Sequence, residues 1–288
     1  TLLASSAASD VYKRQRMQEH VLDPAREQLL AELGDASRAP NDCYDMFTNV
    51  DMEFPSVKKS DGSEGQLTNG NFCVYRESGD RAIREDAFEK FFGTYKKYIN
   101  TFAATYGGSV KYDCFNAKVR GYSSACEAAL SGGNVPVSVY DSLVKAIHDA
   151  LPSMRRYLDI RRKAMGTDKI DMFDLYVPIV KEADIPMPYA DAKTLVKEAL
   201  KPFGKRYGEL LDRAYSEHWI DVYENKGKSS GAFSAGVYGV HPYVMLNYTD
   251  TLDDAFTLAH ELGHAMHSFF SSETQDYAVS YTHLRAHE

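Results

Sequence analysis

The chain has 288 residues, 44% of them hydrophobic and 26% charged, the balance of an ordinary water-soluble protein with a sizeable core. Its 33 Lys and Arg against 41 Asp and Glu leave a net charge of −8, which argues against the basic face that a nucleic-acid partner requires. No apolar run reaches the length of a membrane-spanning helix. No two of Cys43, Cys73, Cys114 and Cys126 stand at Cys-x-x-Cys spacing, so neither a membrane partner nor a cysteine zinc site is expected.

The two ends differ in character from the rest. Residues 1–15 and 279–288 look like translated adaptor sequence and are set aside as non-native extensions, the natural protein being interrupted at both. Leu2 to Ala8 is a short small-residue stretch, with no basic residue before it and an Asp soon after, which is not the layout of a signal peptide. Four scattered cysteines in a chain of this length fit reduced thiols, and a cytoplasmic location is expected.

A helix is expected over 16–38, with Leu22, Leu29, Leu30 and Leu33 on one side. Short apolar runs on either side of Ser60-Asp61-Gly62-Ser63 suggest a small hairpin between residues 41 and 75, ending in Asn71-Phe72-Cys73-Val74-Tyr75. Ile83, Ala87, Phe91, Tyr95 and Tyr98 mark a long helix over 80–102. Further helices are expected near 113–130, 137–150, 153–165, 190–201 and 205–218, punctuated by Pro136 and by Ile185-Pro186-Met187-Pro188. No strand–helix alternation points to a parallel sheet, so the chain reads as mainly α. Residues 231–247 break the helical pattern. They are aromatic, β-branched and glycine-bearing, and Pro242, which cannot donate to a ladder, places that strand at a sheet edge.

The next helix is well specified. Thr251 can cap it and Asp254 stands at the capping-box position. Ala255, Leu258, Leu262, Ala265, Met266 and Phe269 recur at three- and four-residue steps and form its packed face. On the same helix runs His260-Glu261-Leu262-Gly263-His264. Histidines four apart share one side, so both imidazoles can reach one zinc ion. The adjacent Glu261 is placed as general base for a metal-activated water that attacks an amide carbonyl. Gly263, unfavourable within a helix, suggests close approach by another group. His267 is too far along the axis to join the same ion and is expected to support the site from outside the ion's ligands or to face solvent. His283 and His287 repeat the spacing without the Glu, inside the suspected extension.

The segments around this motif carry a resemblance. Trp219 to Lys228, Ser230 to Ser234, His241 to Tyr248 and Thr251 to Ser268 look like the oligoendopeptidase F family, as do Asn100 to Thr105 and Asp174 to Pro178 upstream. The resemblance implies a helical, two-lobed fold like that of thimet oligopeptidase, with a small β-sheet beside the zinc helix. It implies an N-terminal lobe over 16–100, a catalytic domain over 101–278, and cytoplasmic endo-hydrolysis of short oligopeptides with Zn2+ as cofactor and no obligate protein partner. By their motif positions His260 and His264 are zinc ligands and Glu261 is the base. The strand near Gly239, His241 and Tyr243 resembles the edge on which family members lay the substrate backbone. The family's third zinc ligand is a Glu on a later helix, and a later His and Tyr pair stabilises the transition state. The chain ends before them. Glu273 comes too early, in an expected loop, and Glu288 falls in the suspected extension. Weak zinc binding and weak or absent hydrolysis are therefore expected of this chain. The alternatives are a dipeptidyl carboxypeptidase of the wider group and a peptide-binding fragment without catalysis.

Overall fold

The computed structural model describes residues 15–59, 61–180 and 185–277; His283, His287 and Glu288 lie outside them, as does the segment 279–288. Two compact units are present, one formed by residues 1–52 with 92–175, the other by 53–91 with 176–288.

In the first unit, helix α1 is Pro24–Met46. It starts where Asp23 accepts the Arg26 amide at 3.2 Å and Pro24 occupies the first turn, later than the expected 16–38, because an Asp-Pro pair is itself a helix start. A π turn, Phe47–Asp51, follows. The expected helix over 80–102 is two helices, α3 (Arg81–Lys97), of which residues up to 91 belong to the second unit, and α4 (Ile99–Val119), parted at Tyr98, whose φ of −110° and ψ of 16° leave the helical region. Their junction packs on the end of α1: Phe47 meets Tyr98 and Phe102 edge to face, with centroids 4.8 and 5.7 Å apart. A Cβ at Gly108 would stand 2.9 Å from the Pro40 ring, so α1 and α4 approach this closely only with glycine there. Gly121, at φ +77°, then turns the chain into α5 (Ala125–Ser131), so the expected 113–130 helix is also divided. The expected helices 137–150 and 153–165 are by contrast one, α6 (Val137–Ala164). Pro152 removes a single backbone bond and the remainder of the helix carries across it.

The second unit opens with an antiparallel hairpin of β1 (Ser56–Lys58) and β2 (Glu64–Gln66), Val57 facing Gly65. Its expected extension through Asn71–Tyr75 is instead a short helix, α2 (Phe72–Arg76). Thr68 and Asn71 cap each other reciprocally, Asn71 Oδ1 accepting the Thr68 amide at 2.8 Å and Thr68 Oγ1 accepting the Asn71 amide at 3.0 Å, and this turns the chain away from the hairpin. Helices α7 (Tyr189–Ala199) and α8 (Lys205–Ser216) lie close to expectation. A three-stranded sheet follows, made of β3 (Ile220–Asp221), β4 (Phe233–Ala235) and β5 (Tyr243–Met245), then helix α9 (Leu252–Thr274).

The sheet order is β3–β5–β4, with β3 parallel and β4 antiparallel to β5. The edge expected for the Pro242 strand is thus overturned: β5 is central. Val244, Leu246 and Tyr248 donate their amides to Trp219, Asp221 and Val222 on the β3 side at 2.8–2.9 Å. Pro242 stands one step before that ladder begins, where a missing N–H costs no bond. The core of this unit joins Val196 of α7, Leu210 and Leu211 of α8, Trp219, Val244 and Leu246 of the sheet, and Leu258, Leu262 and Met266 of α9.

Candidate active site

The site is built on α9, and the way that helix is pinned begins at its N-terminus. The Asp254 carboxylate accepts from the amides and hydroxyls of both Thr249 and Thr251 at 2.8–3.0 Å, while Thr251 Oγ1 accepts the Asp254 amide at 3.2 Å. This is the expected capping box, with Thr249 added to it. One face of the helix is then immersed: Leu258, Leu262 and Ala265 are fully buried. The rotation of the helix about its axis is fixed by that burial, and with it the direction of every other side chain.

The opposite side carries the histidines. His260 and His264 bring their Nε2 atoms to 3.0 Å from each other, rings nearly perpendicular. Two nitrogens each about 2.0–2.1 Å from one zinc ion in a tetrahedral site stand only slightly farther apart than this. The pair therefore fits a zinc ion in donor chemistry and in spacing. Among the described residues no third His, Cys, Asp or Glu completes a cluster with them. Glu261, next in sequence, is buried on the flank between the histidine side and the packed face, 8% exposed. A carboxylate so placed is held by packing rather than swinging in solvent. Gly263 does not serve close approach as its identity suggested: open space surrounds the position of its missing Cβ among the described residues. His267 is half-buried farther along the helix.

Glu273 corrects another expectation. It lies on the last turn of α9, not in a loop, and is ion-paired with Arg206 of α8. The pair ties the end of the helix to its neighbour.

Gly239, His241 and Tyr243 form a second group. Gly239 adopts φ +82° in the turn before β5. The His241 ring stacks on Trp219, centroids 5.1 Å apart and 4° from parallel, and lies 4.6 Å from the Tyr243 ring, which is half exposed. Trp219 in turn stacks on Phe269 of α9. The chain thus brings His260 to His264, and His241 to Tyr243.

A cleft of about 330 Å3, absent from the sequence reading, opens beside the first turns of α9. Asn69 to Arg76 line one wall, Ser230 to Ala232 and Leu246 to Tyr248 another, and Thr257, one turn before Glu261, reaches into it. Asn247 shapes the wall by donating to the Ser229 and Gly231 carbonyls at 2.9 and 2.8 Å. Its two sides come from segments more than 150 residues apart, and no local pattern announces such a juxtaposition. Cys73 faces it, and burial pushes that thiol above its ordinary pKa. All four cysteines are unpaired. No helix among the described residues is long and apolar enough to cross a membrane.

A peptidase family M3 model matches residues 74–286, and an oligopeptidase F model matches residues 7–54. Oligopeptidase PepF of Bacillus subtilis is 41% identical over 275 residues, 96% of this chain and 41% of that protein. Group B oligopeptidase PepB of Streptococcus agalactiae is 41% identical over 258 residues, 90% of this chain and 43% of that protein. The crystal structure of oligoendopeptidase-F from Enterococcus faecium matches with a TM-score of 0.63 at 32% identity, over 96% of this chain and 44% of its own. The chain therefore spans less than half the length of these curated relatives.

Proposed function

This chain belongs to the oligopeptidase F group of peptidase family M3, and on that premise we propose that it carries the zinc-binding and proton-transfer part of a peptidase that cleaves inside short oligopeptides. The observation that carries the reading is the approach of the two Nε2 atoms at 3.0 Å beside a buried carboxylate. His260 and His264 would hold the ion. Zinc bound there supplies Lewis acidity and lowers the pKa of a coordinated water towards neutrality. The Glu261 carboxylate takes the proton of the attacking water and returns it to the leaving nitrogen. The packed face of α9 keeps these three side chains in register with one another.

The peptide would lie in the cleft along α9. Because β5 is central, the sheet's edges are β3 and β4; the β4 edge would pair with an extended substrate, with Gly239 and His241 in the turn after β4 and Tyr243 at the start of β5 touching it. The names of the relatives, oligopeptidase and oligoendopeptidase, favour internal cleavage over release of C-terminal dipeptides. A peptide amidated at its C-terminus discriminates: an endopeptidase cleaves it and a dipeptidyl carboxypeptidase does not.

Two imidazoles alone make a weak site. Calorimetric titration of zinc into this chain should show one weak site that disappears in a His260→Ala, His264→Ala double variant. Cleavage of an internally quenched peptide should be slow or absent, and any that remains should vanish in Glu261→Gln. One zinc per chain that survives dialysis against a chelator would overturn the weak-site expectation. Cleavage unchanged by Glu261→Gln would overturn the assignment of the base.

A further inference from the structure

Thr257, Glu261, His264 and Ser268 follow one another on α9 at four-, three- and four-residue steps, so they share one stripe of the helix, about 16 Å long. Strand β4 packs along α9, and two points place it against that stripe. Ala232, just before the strand, lines the cleft that Thr257 reaches into. Gly236, just after it, lies against Ser268, which is buried. Ala232 to Gly236 is about 13 Å of extended chain, so β4 runs beside the stripe from end to end, with Glu261 and His264 between the two points. Gly236 falls on the same face of the strand as Ser234, which pairs with the core residue Val244. At the Gly236 end there is no spare room. A Cβ there would stand 2.8 Å from both Cβ and Oγ of Ser268. The φ of Gly236 lies outside the left-handed region, so it is space, not backbone conformation, that excludes a side chain. Nor can the Ser268 Cβ swing aside, because it is fixed to the helix backbone.

We propose that Gly236 is a positioning residue: its contact with Ser268 sets the gap between the β4 edge and the Glu261 and His264 side chains, the gap in which a peptide bond is presented for cleavage. The inference rests on the reading that β4 pairs with the substrate. Helix α9 cannot yield to a larger residue, because Leu258, Leu262 and Ala265 are fully buried beneath it. Strand β4 can, since β5 holds it on one side only. Carbon atoms pack at about 3.5 Å or more, so alanine at position 236 would lift this end of β4 by about 0.7 Å. A peptide bonded to β4 moves with it, away from the carboxylate and the imidazoles. Misplacement by about 1 Å can cost reacting groups about a hundredfold, and a loss of about tenfold in peptide uptake is expected for this smaller shift. Zinc binding is spared, because His260 and His264 sit on one helix that stays in place.

Fluorescence polarisation of a labelled, C-terminally amidated peptide of mixed sequence, added to the whole chain, tests this, with calorimetric titration of zinc alongside. The wild-type chain should bind the peptide, Gly236→Ala should bind it about tenfold more weakly, and the two should bind zinc alike. Ser268→Gly removes both atoms that the new Cβ would meet, so adding Gly236→Ala to it should cost no peptide affinity. A Gly236→Ala chain that binds the peptide as the wild type does overturns the proposal, and so does a loss that persists in the double variant. Zinc affinity falling in step with peptide affinity also overturns it, because the helix itself would then be disturbed. If Gly236→Ala alone does not fold, judged by Trp219 emission, the double variant is compared with Ser268→Gly: equal peptide affinity supports the contact, and a double variant that is unfolded or weaker overturns it. Failure of the underlying reading looks different. The wild-type chain would then take up no peptide, and the inference falls with it.

Discussion

Glu27 receives three donors at once: both guanidinium nitrogens of Arg120 at 2.8 and 3.0 Å, and the Leu22 amide at 2.9 Å. The Arg120 hydrogen bonds lead in holding its carboxyl near a pKa of about 2, below the ordinary 4.5. Around them His20 stacks on Tyr122 at 3.6 Å and binds the Arg120 carbonyl, so the start of the chain is clasped to the end of α4. A carboxylate whose folded pKa is depressed stabilises the fold above its unfolded pKa and ceases to do so as pH falls through the folded one. The stabilisation should therefore be complete above pH 4.5 and fade towards about pH 2. Glu27→Gln should flatten this part of the acid limb in denaturation midpoints recorded against pH; an unchanged limb would refute the assignment. Both side chains are partly exposed, so added salt should shrink the effect. This clasp was not legible in the sequence, because its partners are 93 residues apart and no local period links them. The pairing of His260 with His264 was legible, because helical geometry converts a four-residue spacing into a shared side whatever the tertiary context.

The helix that carries those histidines depends on one carboxylate at its start. Asp254 accepts four hydrogen bonds, so its removal leaves the Thr249 and Thr251 donors to be satisfied elsewhere and uncaps the first turn. Asp254→Ala should destabilise the second unit by about 1–2 kcal/mol and Thr251→Ala by about 1 kcal/mol, read from urea midpoints. Equal, negligible effects would mean the box is ornamental. At this scale the sequence was informative where signals are local: the Thr251–Asp254 box, α7, α8 and the turn before β2. It misled where an outcome depends on distant pairing. The two-residue strand β3 becomes visible only through β5, more than twenty residues on, and it is β3 that makes β5 central. Tyr98 and Gly121 end helices in a sequence whose apolar period runs on past both, while Pro152 fails to end one because the helices on either side of it share a single apolar stripe.

Burial is unevenly divided between the two units. Among the described residues the buried hydrophobics of the first are Met52, Ala117 and Phe173, whereas the second holds a continuous core from Ala192 to Met266 and, around the hairpin, Phe54, Val57 and Leu67. Apolar burial is the main favourable term in folding, at about 25 cal/mol per Å2, so the first unit should be much the weaker of the two. The chain's one tryptophan, Trp219, is 1% exposed in the second core. Its fluorescence therefore reports that unit alone, while far-ultraviolet circular dichroism is weighted towards α1, α4 and α6 of the first. With rising urea the dichroism should fall before the tryptophan emission shifts, two transitions where a single cooperative domain would give one. Coincident curves would show that the units unfold together despite the disparity.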